Sequence, residues 1–173
     1  MEILRETERL IIRPFREADA PALYENHRDG EVRRWFPNEC YADEAEALDA
    51  VRFYIGCVAG GRLPFVLGAE LKETGELIGD AGVSEVEGRP GETEIGYCIG
   101  EEYRGRGYAA ELAAAVSAFV ADRFGARVIW GRVVRGNAAS ARVLEKNGFT
   151  RTASGVPEDW GYPEPTVADK WFL

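Results

Sequence analysis

Hydrophobic positions fall into two rhythms along this chain, and their order lays out an architecture. Arg9 to Phe15 is rich in strand formers and halts at Pro14, which predicts a first strand. Arg16 to Arg28 reads as a helix marked by Ala18, Ala22, Leu23 and Tyr24, with Gly30 closing it. Trp35, Phe36 and Pro37 read as a loop. From Asp43 to Ala59, apolar residues recur every three or four positions (Ala45, Leu48, Val51, Tyr54, Ile55). The acidic start of this second helix suits the helix dipole, and Gly60 and Gly61 end it. Three strand-like runs follow, Pro64 to Leu71, Glu76 to Val86 and Glu92 to Ile99, joined by turns short enough for an antiparallel meander. Then come helix Tyr108 to Phe124, strand Arg127 to Val134, and helix Ala138 to Asn147 with Gly148 as its stop. Thr150 to Ala153 and Val167 to Leu173 are predicted closing strands, joined by a proline-rich loop from Pro157 to Pro165. The pattern is mixed α/β, without internal repeat or linker.

The segment Tyr103-Arg104-Gly105-Arg106-Gly107-Tyr108-Ala109 sits between a strand and a helix. A glycine-rich turn opening a helix offers unpaired N–H groups and the positive end of a dipole, which suits a phosphate or pyrophosphate. Gly105 and Gly107 permit close backbone approach, and Arg104 and Arg106 add charge. The same residues fit a loose G-x-G-x-x-A dinucleotide fingerprint. That reading wants the turn after the first strand of a parallel sheet and an acid ending the next strand. Here the turn follows a meander and the next strand runs to Arg135, so only an NADP-binding reductase remains as the rival. No Gly-Lys-Ser/Thr follows, so a P-loop is excluded.

The 173 residues suit one domain. With 46% hydrophobic and 29% charged residues, a soluble globular protein is expected. A net charge of -9 disfavours nucleic acid as a partner; it would attract cationic amines, with solubility alone as the alternative reading. Cys40, Cys57 and Cys98 are far apart and only His27 could join them, so no metal site is expected. A reducing, cytoplasmic setting follows from the cysteines. No apolar run reaches membrane-spanning length, and no signal-peptide stretch opens the chain.

The stretch Ile95-Gly96-Tyr97-Cys98-Ile99 through Ala109 resembles the acetyl-CoA motif of the GNAT N-acetyltransferase superfamily, with Arg104, Gly107 and Ala109 filling its pattern. Asn137-Ala138-Ala139-Ser140 with Glu145-Lys146-Asn147-Gly148-Phe149, and the opening Thr7-Glu8-Arg9-Leu10-Ile11-Ile12-Arg13-Pro14, resemble the RimJ/RimL-like branch, which acetylates ribosomal-protein N-termini. The resemblance implies a single N-acetyltransferase domain over 1–173. Its mixed α+β fold would hold a mostly antiparallel twisted sheet of about seven strands, splayed at the cofactor and flanked by about four helices. It implies acetyl-CoA as cosubstrate, with the amides from Gly105 through Arg106, Gly107 and Tyr108 to Ala109 on the pyrophosphate. The backbone at Cys98 and Ile99, and Asn137, would hold the pantetheine arm. The reaction would be direct attack by a primary amine of a peptide N-terminus or small molecule.

Such chemistry needs a proton acceptor for the amine. Glu94 is the first candidate and Glu92 the second, because they alternate onto one strand face. Surface carboxylates are the alternative. The superfamily's usual tyrosine on the Asn137 helix is replaced by Leu144. Ser140, one turn earlier on the same helix face, is the substitute partner for the departing thiol. The missing tyrosine also keeps open a non-catalytic CoA-binding module. Trp35, Phe36 and the Glu158-Asp159-Trp160-Gly161-Tyr162 loop are candidates for the acceptor pocket, with core cover or a homodimer contact as alternatives. His27 is expected to be a helix cap or surface group.

Overall fold

A computed structural model of the chain describes residues 3–160 and 164–173. Its framework is one eight-stranded sheet in the order β1-β2-β3-β4-β5-β6-β8-β7. The strands are β1 (Arg5–Glu6), β2 (Leu10–Pro14), β3 (Phe65–Leu71), β4 (Leu77–Glu85), β5 (Glu92–Ile99), β6 (Val128–Val134), β7 (Thr150–Glu158) and β8 (Thr166–Phe172). Among the described residues there are five α-helices: α1 (Ala20–His27), α2 (Gly30–Trp35), α3 (Glu44–Ala59), α4 (Tyr108–Phe124) and α5 (Ala138–Lys146).

The expected antiparallel meander is present from β2 through β5. The β5–β6 pair is parallel, and its ladder holds only Glu92↔Val128, Thr93↔Ile129 and Glu94↔Trp130. Beyond Glu94 the two strands run on without pairing, so the sheet is split there as expected. Alternation along β5 sends Thr93, Ile95, Tyr97 and Ile99 to one face and Glu94, Gly96 and Cys98 to the other.

On the first face α4 packs Leu112, Val116, Phe119 and Val120 against Leu10, Ile12, Phe65, Leu67 and Ile95. Glycines cap this helix at both ends in left-handed conformation, Gly107 at φ 85° and Gly125 at φ 61°. On the other face α1 and α3 bring Leu23 and Val51 against Phe15 and Leu77. Buried Arg13 is held by Asp19 and Glu70, each at 2.7 Å.

Four expectations are corrected. Gly30 does not close the first helix; it starts α2, because Asp29 accepts from the N–H groups of Glu31 and Val32 and caps a new helix. Trp35 therefore ends a helix rather than lying in a loop. The first helix starts at Ala20, after a 3₁₀ turn at Glu17–Asp19. The last hairpin is longer than its sequence suggests: β7 reaches Glu158 and includes Pro157. It is an exposed edge strand with two register shifts, so neither burial nor alternation marks it.

Candidate active site

The glycine turn leaves its donors free. Among the described residues, the backbone N–H groups of Gly105 through Ala110 donate to no protein acceptor, and the first one bonded is Glu111, to the Gly107 carbonyl at 3.2 Å. Gly105 at φ 76° and Gly107 at φ 85° hold a conformation that side chains strain. The turn lines a cavity of about 340 Å³ that also takes in Tyr97, Cys98, Ile99, Asn137 and Ser140.

Both arginines of the turn make contacts within the protein. Arg104 is clamped by both oxygens of Asp29 at 3.0 and 2.6 Å and donates to the Ile99 carbonyl at 2.7 Å. It therefore ties the turn to α2 and to the end of β5, and its charge is already matched. Burial works against both charges of this pair, but their contact wins, raising the Arg104 pKa and lowering that of Asp29. Arg106 does not line the cavity. Its carbonyl accepts from Arg9 at 3.0 Å, and the Arg9 guanidinium stacks on Tyr108 while pairing with Glu111 at 2.6 Å. Besides Arg104, the cations that line the cavity are Arg142 and Lys146 of α5. They were missed in the sequence, although their four-residue spacing puts them on one helix face.

Asn137 caps α5 by accepting from the Ser140 N–H at 3.1 Å. Its Nδ2 has no partner among the described residues and can serve a ligand in the cavity. Ser140 sits at the split in the sheet. Its Oγ lies 3.0 Å from the Tyr97 hydroxyl, which also donates to the Ser140 carbonyl at 3.1 Å. Tyr97 is a candidate that sequence reasoning passed over, though it stands inside the quoted motif. Enclosure raises its pKa to about 12 despite the Ser140 contact, so it keeps its proton at neutral pH. Leu144 is buried, borders the cavity on the far side of the split, and carries no hydroxyl.

Tyr97 and Ser140 also line a second cavity of about 490 Å³ on the opposite side of the split. Glu94, Asp159, Trp160 and Phe36 line it too, whereas Trp35 lines only the first cavity. Gly161 and Tyr162 lie outside the described residues. Glu94 pairs with Arg132 at 2.6 Å. Burial raises its pKa, and Arg132 only partly offsets this. Glu92 instead faces Arg89 and the Trp130 indole, away from this cavity.

His27 is corrected most. It is 2% exposed, not a surface cap, and its Nε2 meets Asp80 at 2.6 Å while Nδ1 bonds the Glu39 carbonyl at 2.8 Å. Burial favours the neutral ring, but the Asp80 carboxylate outweighs it and raises the imidazole pKa to about 12. His27, Asp80 and Glu39 all line the second cavity.

A dinucleotide fold is excluded by the topology, since the turn leaves an antiparallel meander. A split sheet with free turn amides on one side and a second cleft across the gap is instead the form of an acyltransferase. Residues 9–150 match the family described as Acetyltransferase (GNAT) domain, and the chain belongs to that family. It is 30% identical over 164 residues to the uncharacterized N-acetyltransferase YoaA of Bacillus subtilis, covering 95% of this chain and 91% of that protein. The structure of a GNAT-family acetyltransferase from Bacillus anthracis superposes with a TM-score of 0.84 at 24% identity, covering 100% and 98% of the two chains. RimL, a ribosomal L7/L12 alpha-N-protein acetyltransferase solved with coenzyme A, gives 0.83 at 19% identity over 99% and 97%. These two likenesses establish the fold. The chain is an acyltransferase of the N-acetylating kind.

Proposed function

We propose that this protein, acting as one domain over 1–173 in the cytoplasm, transfers the acetyl group of acetyl-CoA to a primary amine. The observation that carries this reading is the meeting of the two cavities at the split, with Tyr97 and Ser140 lining both. The amides of Gly105 to Ala109 would hold the pyrophosphate, with Arg142 and Lys146 beside them. Asn137 and the backbone at Cys98 would hold the pantetheine arm; the Ile99 carbonyl is already taken by Arg104.

Bound acetyl-CoA would supply an activated thioester at the gap. The amine enters as a cation, and Glu94 accepts the proton it sheds; the raised pKa of this carboxylate suits it to that task. An unpaired N–H of β5 beyond Glu94 faces the charge that gathers on the carbonyl oxygen. As the carbon–sulfur bond breaks, the proton still carried by the attacking nitrogen leaves to neutralise the departing sulfur, to which the Ser140 hydroxyl donates a hydrogen bond. Tyr97 orients that hydroxyl from the opposite wall.

Calorimetric titration with CoA tests the assignment. Micromolar or tighter binding is expected, and Gly107→Val abolishes it, since a Cβ is strained at this φ. Unchanged binding by the variant would contradict the site. Release of free thiol in the presence of amines separates an enzyme from a non-catalytic CoA-binding module.

A further inference from the structure

The floor of the second cavity is paved with glycine. Gly82 and Gly96 face each other across β4 and β5, and a Cβ added at either would meet nothing within 4 Å. A slender molecule can therefore lie along the strands. Three of the carboxylates lining the cavity are already engaged: Asp80 with His27, Glu94 with Arg132, and Asp159 with a partner of its own. The Glu39 carboxylate has no hydrogen-bonding or ion-pair partner among the described residues. The phenol rings of Tyr41 and Tyr54, joined through their hydroxyls at 3.1 Å, line the cavity with it.

We propose that Glu39 anchors a second positive charge on the acceptor, so that the substrate class is a primary amine bearing a further ammonium or guanidinium group. The inference rests on the reading of this cavity as the acceptor site. Glu39 is fixed at the Asp80 end of the floor by its carbonyl bond to His27. Gly82 lies two residues along β4 from Asp80, about 7 Å by strand rise, so the floor has room for a short diamine. Glu39 is exposed to solvent at the cavity it lines. Partial desolvation by the surrounding protein and the nearby Asp80 raise its pKa to about 6 while His27 opposes them, so it is anionic at neutral pH. An ammonium between a carboxylate and phenol faces is a favourable arrangement.

The test is a titration of the CoA-saturated protein at pH 8 with two matched pairs. One pair is 1,4-diaminobutane and 1-aminobutane; the other is a tripeptide with lysine or norleucine at its second position. In at least one pair the dicationic member should bind at least tenfold more tightly. Glu39→Gln should remove that preference, leaving the affinity of the monocationic member within twofold. The pair that shows the preference tells a small diamine from a basic peptide. Gly82→Ala, whose Cβ meets nothing within 4 Å, should weaken both members and leave CoA binding intact. Equal binding of both members in both pairs, including no binding of any, overturns the proposal, as does a preference that survives in Glu39→Gln. Selective binding without acetylation would instead overturn the transferase reading alone.

Discussion

At the scale of single residues, the hydroxyl pair at the split carries the most specific expectation. Tyr97 and Ser140 are 3.0 Å apart and reach the gap from different elements, β5 and α5. If they act as one unit on the leaving sulfur, their effects are not additive. Ser140→Ala and Tyr97→Phe should each lower kcat about tenfold or more, as loss of a transition-state hydrogen bond does. The double variant should be no worse than the slower single one, and CoA affinity should hold throughout. Additive losses measured by initial rates would separate the two roles. Ser140 was legible because the Asn137 helix was legible. Tyr97 was not, because its importance depends on what faces it across the gap.

At the scale of elements, α2 illustrates how a short helix serves a distant turn. Asp29 caps α2 through Oδ1 and clamps Arg104 with both oxygens. The Asp29→Ala variant loses the cap, worth about 1 kcal/mol, and leaves Arg104 without its counter-ion. CoA binding should weaken about tenfold because the turn loses its tie to α2, which calorimetry on the folded variant checks. Gly30 misled the sequence reading for a related reason. Glycine after a helical run signals a stop, and nothing local reveals that the preceding aspartate begins the next helix. The long elements were readable: α4 matches its predicted bounds, and β5 does too. Each has a strong period and glycines at its ends. β7 lacked both signals, being an exposed and bulged edge.

At the scale of the whole molecule, the buried His27–Asp80 pair joins α1 to the middle of the sheet beneath the second cavity. The folded state raises the His27 pKa from 6.5 to about 12. The stabilisation from that shift is therefore complete below pH 6.5 and is lost progressively as pH rises toward 12. Denaturant unfolding should show His27→Gln less stable by about 3 to 5 kcal/mol at pH 6, the cost of breaking a buried pair. The gap to the native protein should narrow at pH 9. A gap that widens with pH would mean the ring is neutral in the folded protein.

The sequence by itself determined the antiparallel meander, the helix that follows the glycine turn and the family, because these depend on local periods and on glycines at strained backbone positions. Only the tertiary structure decided which charges remain available. Arg104 looked like a phosphate ligand and is bound by Asp29; His27 looked peripheral and is buried; Arg142, Lys146, Tyr97 and Glu39 acquire their places from elements remote in the chain. Ionic and hydrogen-bond partnerships form across the folded interior, where sequence spacing gives no measure of distance.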